Sequence, residues 1–171
     1  IKLGTLLAQP VDNWRAARDR LGHALAHRPE RFDRTWRSKA RYSMDWYYPV
    51  LSGALDMTAA AERLQTRWES FVIDGFGCRC VLDEAWVTVA ESAELVIALM
   101  ASGKTEQAAT HLGWLDKFRD ADGSYWMGMQ VEEKTFWPVE QPAWTAGAVL
   151  LAHDAVHRMT PAHGLFIENI I

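Results

Sequence analysis

Hydrophobic positions along this chain fall into two alternating patterns. In the first, apolar residues recur at three- and four-residue steps with charge between them. In "MTAAAERLQTRWESFVI", Ala61, Leu64, Trp68 and Phe71 or Val72 form a stripe, while Arg63, Gln65, Arg67 and Glu69 fill the other side. That spacing predicts a helix with one face in solvent, over 11–27, 58–73 and 105–119. The second pattern is nearly free of charge and covers 46–57, 86–101 and 144–159. A helix apolar on every side has to be covered on every side. Gly103 falls where a left-handed residue would end a helix, and Pro49 is expected in the first turn of one, where its missing N–H does no harm. Asp74-Gly75 and Asp122-Gly123 mark turns.

The repeating unit is a charged helix, an irregular loop, an acid with a tryptophan, then an apolar helix. The loops lie near 28–45, 74–85 and 120–143; Trp14, Trp68 and Trp114 mark the charged helices, and Trp46, Trp86 and Trp144 open the apolar ones. Stacking such pairs places apolar helices in an inner layer and charged helices outside. The expected fold is therefore all-α: one α/α-repeat domain over 1–171, forming an arc or, if the array curves shut, part of an α/α toroid. Its opening, "IKLGTLLAQP", reads like the end of a helix already under way, so the expectation is the C-terminal part of a longer toroid. All three loops then gather beside the N-termini of the inner helices, at the rim of a central cavity.

Nine tryptophans exceed what a core of this size needs, which points to an aromatic-lined groove. No apolar run approaches the roughly 20 residues of a membrane span. Cys78 and Cys80 are too close to bridge without strain, so a reduced, cytoplasmic protein is expected. The net charge of −4 is uneven: residues 1–41 carry ten Lys/Arg and four Asp/Glu, +6, which leaves −10 for the remainder. A solvated helix face and an arginine-bearing loop account for the basic part better than a nucleic-acid partner does.

Candidate catalytic carboxylates are Asp83 and Glu84 ahead of Trp86, Asp45 ahead of Trp46, and Glu140 in the proline-bracketed "FWPVEQPAW". Adjacent acids beside an aromatic wall raise one pKa, as a proton donor requires; helix capping or a rim salt bridge is the alternative for each. Glu91 and Glu94 sit about 60° apart on an apolar helix, where a carboxylate needs a partner, expected from the outer layer, or a wet cavity. Asp154 and His157, one turn apart on the third apolar helix, pose the same question. Trp46, Tyr48, Trp86, Trp126, Trp137 and Trp144 are candidate substrate-binding aromatics, suited to a sugar face or a carbocation. Arg41 and Arg79 are candidates to grip an anionic group. No cofactor or metal is expected: Cys78 and Cys80 lack a second pair, and His153 and His157 have no Glu between them.

The stretch "HLGWLDKFRDADGSYWMG" resembles the repeat of prenyltransferases and terpenoid cyclases, in which a helix ends in a polar Asp-Gly turn followed by an aromatic. "MDWYYPVLSGAL", "RCVLDEAWVTVAESAEL" and "WPVEQPAWTAGAVLLAHDA" are similar to segments of bacterial prenyltransferase-like proteins, over about 41–156. The resemblance implies about half of a six-pair toroid, completed by further chain or by a homodimer. It also implies a small apolar, isoprenoid-like substrate in the aromatic cavity. The acid motifs of those enzymes are incomplete here, since "RDADG" supplies only Asp120 and Asp122. A carbohydrate-active toroid enzyme, using paired acids and stacking tryptophans, is the alternative. A non-catalytic binding scaffold is a second, favoured if the rim acids are all held by arginines.

Overall fold

A computed structural model of the chain describes residues 1–34 and 36–168. Among these, eight α-helices follow in order: α1 (Lys2–Leu6), α2 (Asp12–His27), α3 (Ser43–Leu51), α4 (Met57–Thr66), α5 (Trp68–Phe71), α6 (Val89–Ala101), α7 (Thr105–Trp114) and α8 (Ala143–His157). The apolar patterns become α3, α6 and α8, and these three form an inner layer with α6 in the middle. The outer layer is α4, packed on α3 and α6, and α7, packed on α6 and α8. Two antiparallel sheets occupy the loops between the layers. One pairs β1 (Val72–Ile73) with β2 (Gly77–Cys78); the other runs β3 (Trp86–Thr88), β4 (Gly128–Gln130), β5 (Thr135–Phe136).

The fold is mostly helical rather than all-α. The correction has a physical source: loops folded back over an inner layer need partners for their backbone N–H and C=O groups, and short ladders supply them. "WVT" ahead of α6 carries the β-branched and aromatic residues that suit a strand, so Trp86 lies on β3 and the helix begins at Val89. Gly128 lets β4 approach β3 closely; a Cβ there would stand 2.4 Å from the Val87 carbonyl oxygen. Gly77, at φ +138, would place a Cβ 2.4 Å from the Ser92 hydroxyl. That hydroxyl instead accepts the Cys78 amide at 2.8 Å and so ties β2 to α6.

Burial follows the layers. From Val89 to Leu99, α6 exposes little besides Glu94, and Gly103 takes the expected left-handed turn beyond its end. The flanks are less covered. Helix α2 buries none of its residues, and α8 leaves Trp144, Leu150 and Leu151 exposed, Leu150 at 70%. No helix among the described residues is long and apolar enough to cross a membrane.

Pro49 lies inside α3 rather than in its first turn, because the helix starts at Ser43. Proline cannot donate to the carbonyl four residues back, which leaves the Asp45 oxygen without its helical partner. Arg63 on α4 fills the gap: its Nη2 donates to the Asp45 carbonyl at 2.8 Å and its Nε to the Trp46 carbonyl at 2.6 Å. The Trp46 indole returns a bond to the Arg63 carbonyl at 2.7 Å. Arg63→Ala is expected to cost about 2 kcal/mol or more, since a buried acceptor loses its only donor. In a Pro49→Ala background, where the helix can satisfy Asp45 itself, that cost should shrink by about 1 kcal/mol. Urea titration of the four proteins in the cycle measures the difference; equal costs in both backgrounds would refute the account.

Candidate active site

Three cavities lie in series along the inner face. The first, about 800 Å³, is lined by Phe32, Tyr42, Asp45, Tyr48 and Arg63 among others. The second, about 420 Å³, is walled by Tyr48, Leu51, Glu94, Ile97, Ala148 and Leu151. A third, about 1130 Å³, runs along α8 past Glu94, Tyr125, Trp144 and His153. Tyr48 is shared by the first two and Glu94 by the last two, so α3, α6 and α8 each contribute to one trough.

Glu94 is the charged group at its centre. Its carboxylate accepts the Tyr47 hydroxyl at 2.5 Å and is hydrogen-bonded to the Tyr48 side chain as well; both tyrosines come from α3, an inner helix, not from the outer layer the sequence suggested. Burial lifts the Glu94 carboxyl above the ordinary carboxylate range, the Tyr47 hydrogen bond pulls it back, and neighbouring Glu91 adds to the rise. The same surroundings push the Tyr48 phenol up to about 12, burial first and Glu94 next. Glu91 is 8% exposed. One of its oxygens accepts the Cys80 thiol at 3.7 Å, and the other is buried with no hydrogen-bond partner. Asp154, by contrast, is satisfied locally, accepting both the amide and the hydroxyl of Thr160 at 2.6 Å.

The structure separates the residues singled out in the sequence into groups. Asp45, Tyr48 and Trp144 line the trough. Trp46 does not: at 1% exposed it is core, stacked on Phe71 at 5.3 Å. Its helix begins three residues earlier, which sets the indole a turn deeper than Trp144 in α8. Asp83 caps no helix; it is exposed, ion-paired with Arg41 and, at 3.6 Å, with Arg37. Glu84 and Glu140 are exposed at the rim. Arg79 is half-buried in the loop that bridges to Val87.

Trp86, Trp126 and Trp137 gather on the three-stranded sheet. The Trp86 indole donates to the Trp137 carbonyl at 2.8 Å, and the two rings meet edge to face at 5.1 Å. Trp126 stacks on Phe136 at 5.3 Å. Among the described residues, Asp83 is the one of the four proposed acids in an ion pair with arginine, which is not the arrangement a scaffold with fully paired rim acids would show. Among the described residues, no three His, Cys, Asp or Glu side chains converge to hold a metal ion.

No protein-family model matches the chain. Over 166 residues, 97% of its length, it is 45% identical to an MMP endo-(1,4)-3-O-methyl-alpha-D-mannosidase of Mycolicibacterium hassiacum. The chain spans 45% of that enzyme's length. This relative overturns the likeness to prenyltransferases and terpenoid cyclases, and with it the transferase reading, because it is named a glycosidase. The helix, Asp-Gly turn and aromatic that carried the likeness describe how a helix ends above a rim, and such a pattern encodes architecture rather than reaction.

Both cysteines are free. Burial drives the Cys78 thiol far above its usual range, and burial with Glu91 pushes Cys80 up to about 12. Iodoacetamide at pH 8 is therefore expected to leave both unmodified in the native protein and to label both in urea. Glu91→Gln removes the anion that disfavours the Cys80 thiolate, so native labelling of Cys80 should quicken, roughly tenfold for each unit its pKa falls. Peptide mass mapping over time reads this out; fast labelling of native Cys78 would contradict the burial.

Proposed function

We propose that this chain carries part of the active site of a glycoside hydrolase that cleaves internal α-(1,4) linkages between 3-O-methylated mannose units. The observation that carries the reading is the 45% identity sustained over nearly the whole chain. The trough supports it. Tyr48 and Trp144 offer flat faces for pyranose rings, and Leu51, Ile97, Ala148 and Leu151 offer apolar surface suited to methyl ethers that ordinary sugars lack.

In this reading Asp45, on the trough wall, is the carboxylate that takes a proton from water. Asp83, fixed by Arg41, is an anion of set position; Glu84 and Glu140 serve acid or base roles at the rim. Trp86, Trp126 and Trp137 extend the stacking surface outward, and Arg41 and Arg79 bond sugar hydroxyls. Trp46 acts through packing beneath Tyr47. The arc of inner and outer helices belongs to a larger α/α toroid, and the exposed apolar flank of α8 is where its next helices pack.

The test is hydrolysis of a 3-O-methylated α-(1,4)-mannan beside its unmethylated counterpart, followed by product sizing with the native polypeptide. Internal cleavage with kcat/KM about 10-fold or more in favour of the methylated polymer is expected, the range a methyl group in an apolar pocket supplies. Asp45→Asn should lower kcat by about 100-fold or more with little change in KM. Cleavage of neither polymer overturns the reading.

A further inference from the structure

Glu94 is a carboxylate of α6 that opens onto two cavities, unlike its more deeply buried neighbour Glu91. It sits midway along a helix whose side chains are apolar apart from Glu91 and Ser92, at the wall shared by two cavities. A half-buried acid kept for stability is normally capped or paired with a cation, as Asp154 is satisfied by Thr160. No Lys or Arg forms an ion pair with Glu94 among the described residues. Its partners are neutral phenols, Tyr47 at 2.5 Å and Tyr48, and the group also faces the trough.

Resting on the glycosidase reading, we propose that Glu94 is the catalytic acid that protonates the departing glycosidic oxygen. The bond from C1 to that oxygen breaks, its electron pair goes to the oxygen, and the Glu94 proton completes the new hydroxyl. A water oxygen bonds to C1 while its proton passes to a second carboxylate, the part proposed for Asp45. Exchange of one proton between the two acids and solvent restores both.

The surroundings suit this work. A proton donor has to hold its proton near neutrality, and burial together with Glu91 moves Glu94 in that direction. The groups that set its titration are Tyr47 and Tyr48 on α3 and Glu91 on its own helix. Arg119, His153 and Asp154 line the larger cavity that Glu94 also reaches. The second cavity is otherwise walled almost wholly by carbon, which lowers the polarity around the acid and disfavours its charged form.

The experiment compares native polypeptide and Glu94→Gln on two substrates: the 3-O-methylated mannan, and a 2,4-dinitrophenyl glycoside of a 3-O-methylmannose oligomer, whose leaving group needs no proton. Glu94→Gln is expected to lose about 10²- to 10⁴-fold on the polymer and less than about 10-fold on the aryl glycoside. Equal losses on both overturn the donor role, as does activity within about 10-fold of wild type on the polymer. A wild-type protein inert on both substrates overturns the glycosidase reading and this proposal with it. Should Glu94→Gln fail to fold, Tyr48→Phe decides, because Tyr48 is exposed. Activity falls as pH rises through the pKa of the acid, and the Tyr48 hydroxyl lowers that pKa. Its loss is expected to move the basic limb of the kcat/KM profile upward; an unmoved limb overturns the proposal.

Discussion

The constraint on which everything else depends is the near-complete enclosure of α6. A helix without a polar face gains nothing from water on any side, so it is stable only where neighbours cover it all round. Helices α3 and α8 cover its sides, α4 and α7 its back, and the β2 loop its start. Once those positions are taken, the order of the layers follows, and so does the place of the trough, which is the one side where the wall opens at Glu94. The two carboxylates of α6 therefore sit in the least forgiving part of the molecule for charge, and their presence there calls for a reason beyond packing.

The rim is built on a different principle. Its loops are long, and long loops near an active surface are stable only if their backbone groups are paired. The ladder from β3 through β5 does this for 86–88, 128–130 and 135–136 and holds three tryptophans in fixed relation. The Arg41–Asp83 pair closes another edge. Rigid loops over a carbon-lined trough are what a polymer-binding enzyme needs, since sugar chains offer flat faces and many weak contacts rather than one strong anchor.

Much of the helical alternation was legible because burial on all sides and burial on one side leave different marks on composition. The charged pattern at 105–119 and the uncharged one at 86–101 are α7 and α6 nearly as read. What failed was phase. The three acid-and-tryptophan stretches look alike as strings, yet Trp46 is inside a helix, Trp144 near the start of one and Trp86 on a strand, and only geometry separates core, trough and rim. Pro49 was misplaced for the same reason, a helix start three residues before Trp46. Glu94 stood out as a misfit on its helix, but its partner Tyr47 lies 47 residues upstream on another helix, and no periodicity reports such a contact. The reaction was hidden because the repeat records how helices end, and unrelated chemistries share that solution.

The rung that Pro49 leaves open turns α3 and α4 into a keyed joint. Beside the packing of their side chains, they are joined by a guanidinium bonded to two main-chain oxygens and by an indole bonded back to a third. A lysine in place of Arg63 cannot turn the key, because a single ammonium does not reach two successive carbonyls in the fixed fork that guanidinium presents. Asp45 hangs from the joint itself, so the aim of its carboxylate into the first cavity is inherited from the backbone.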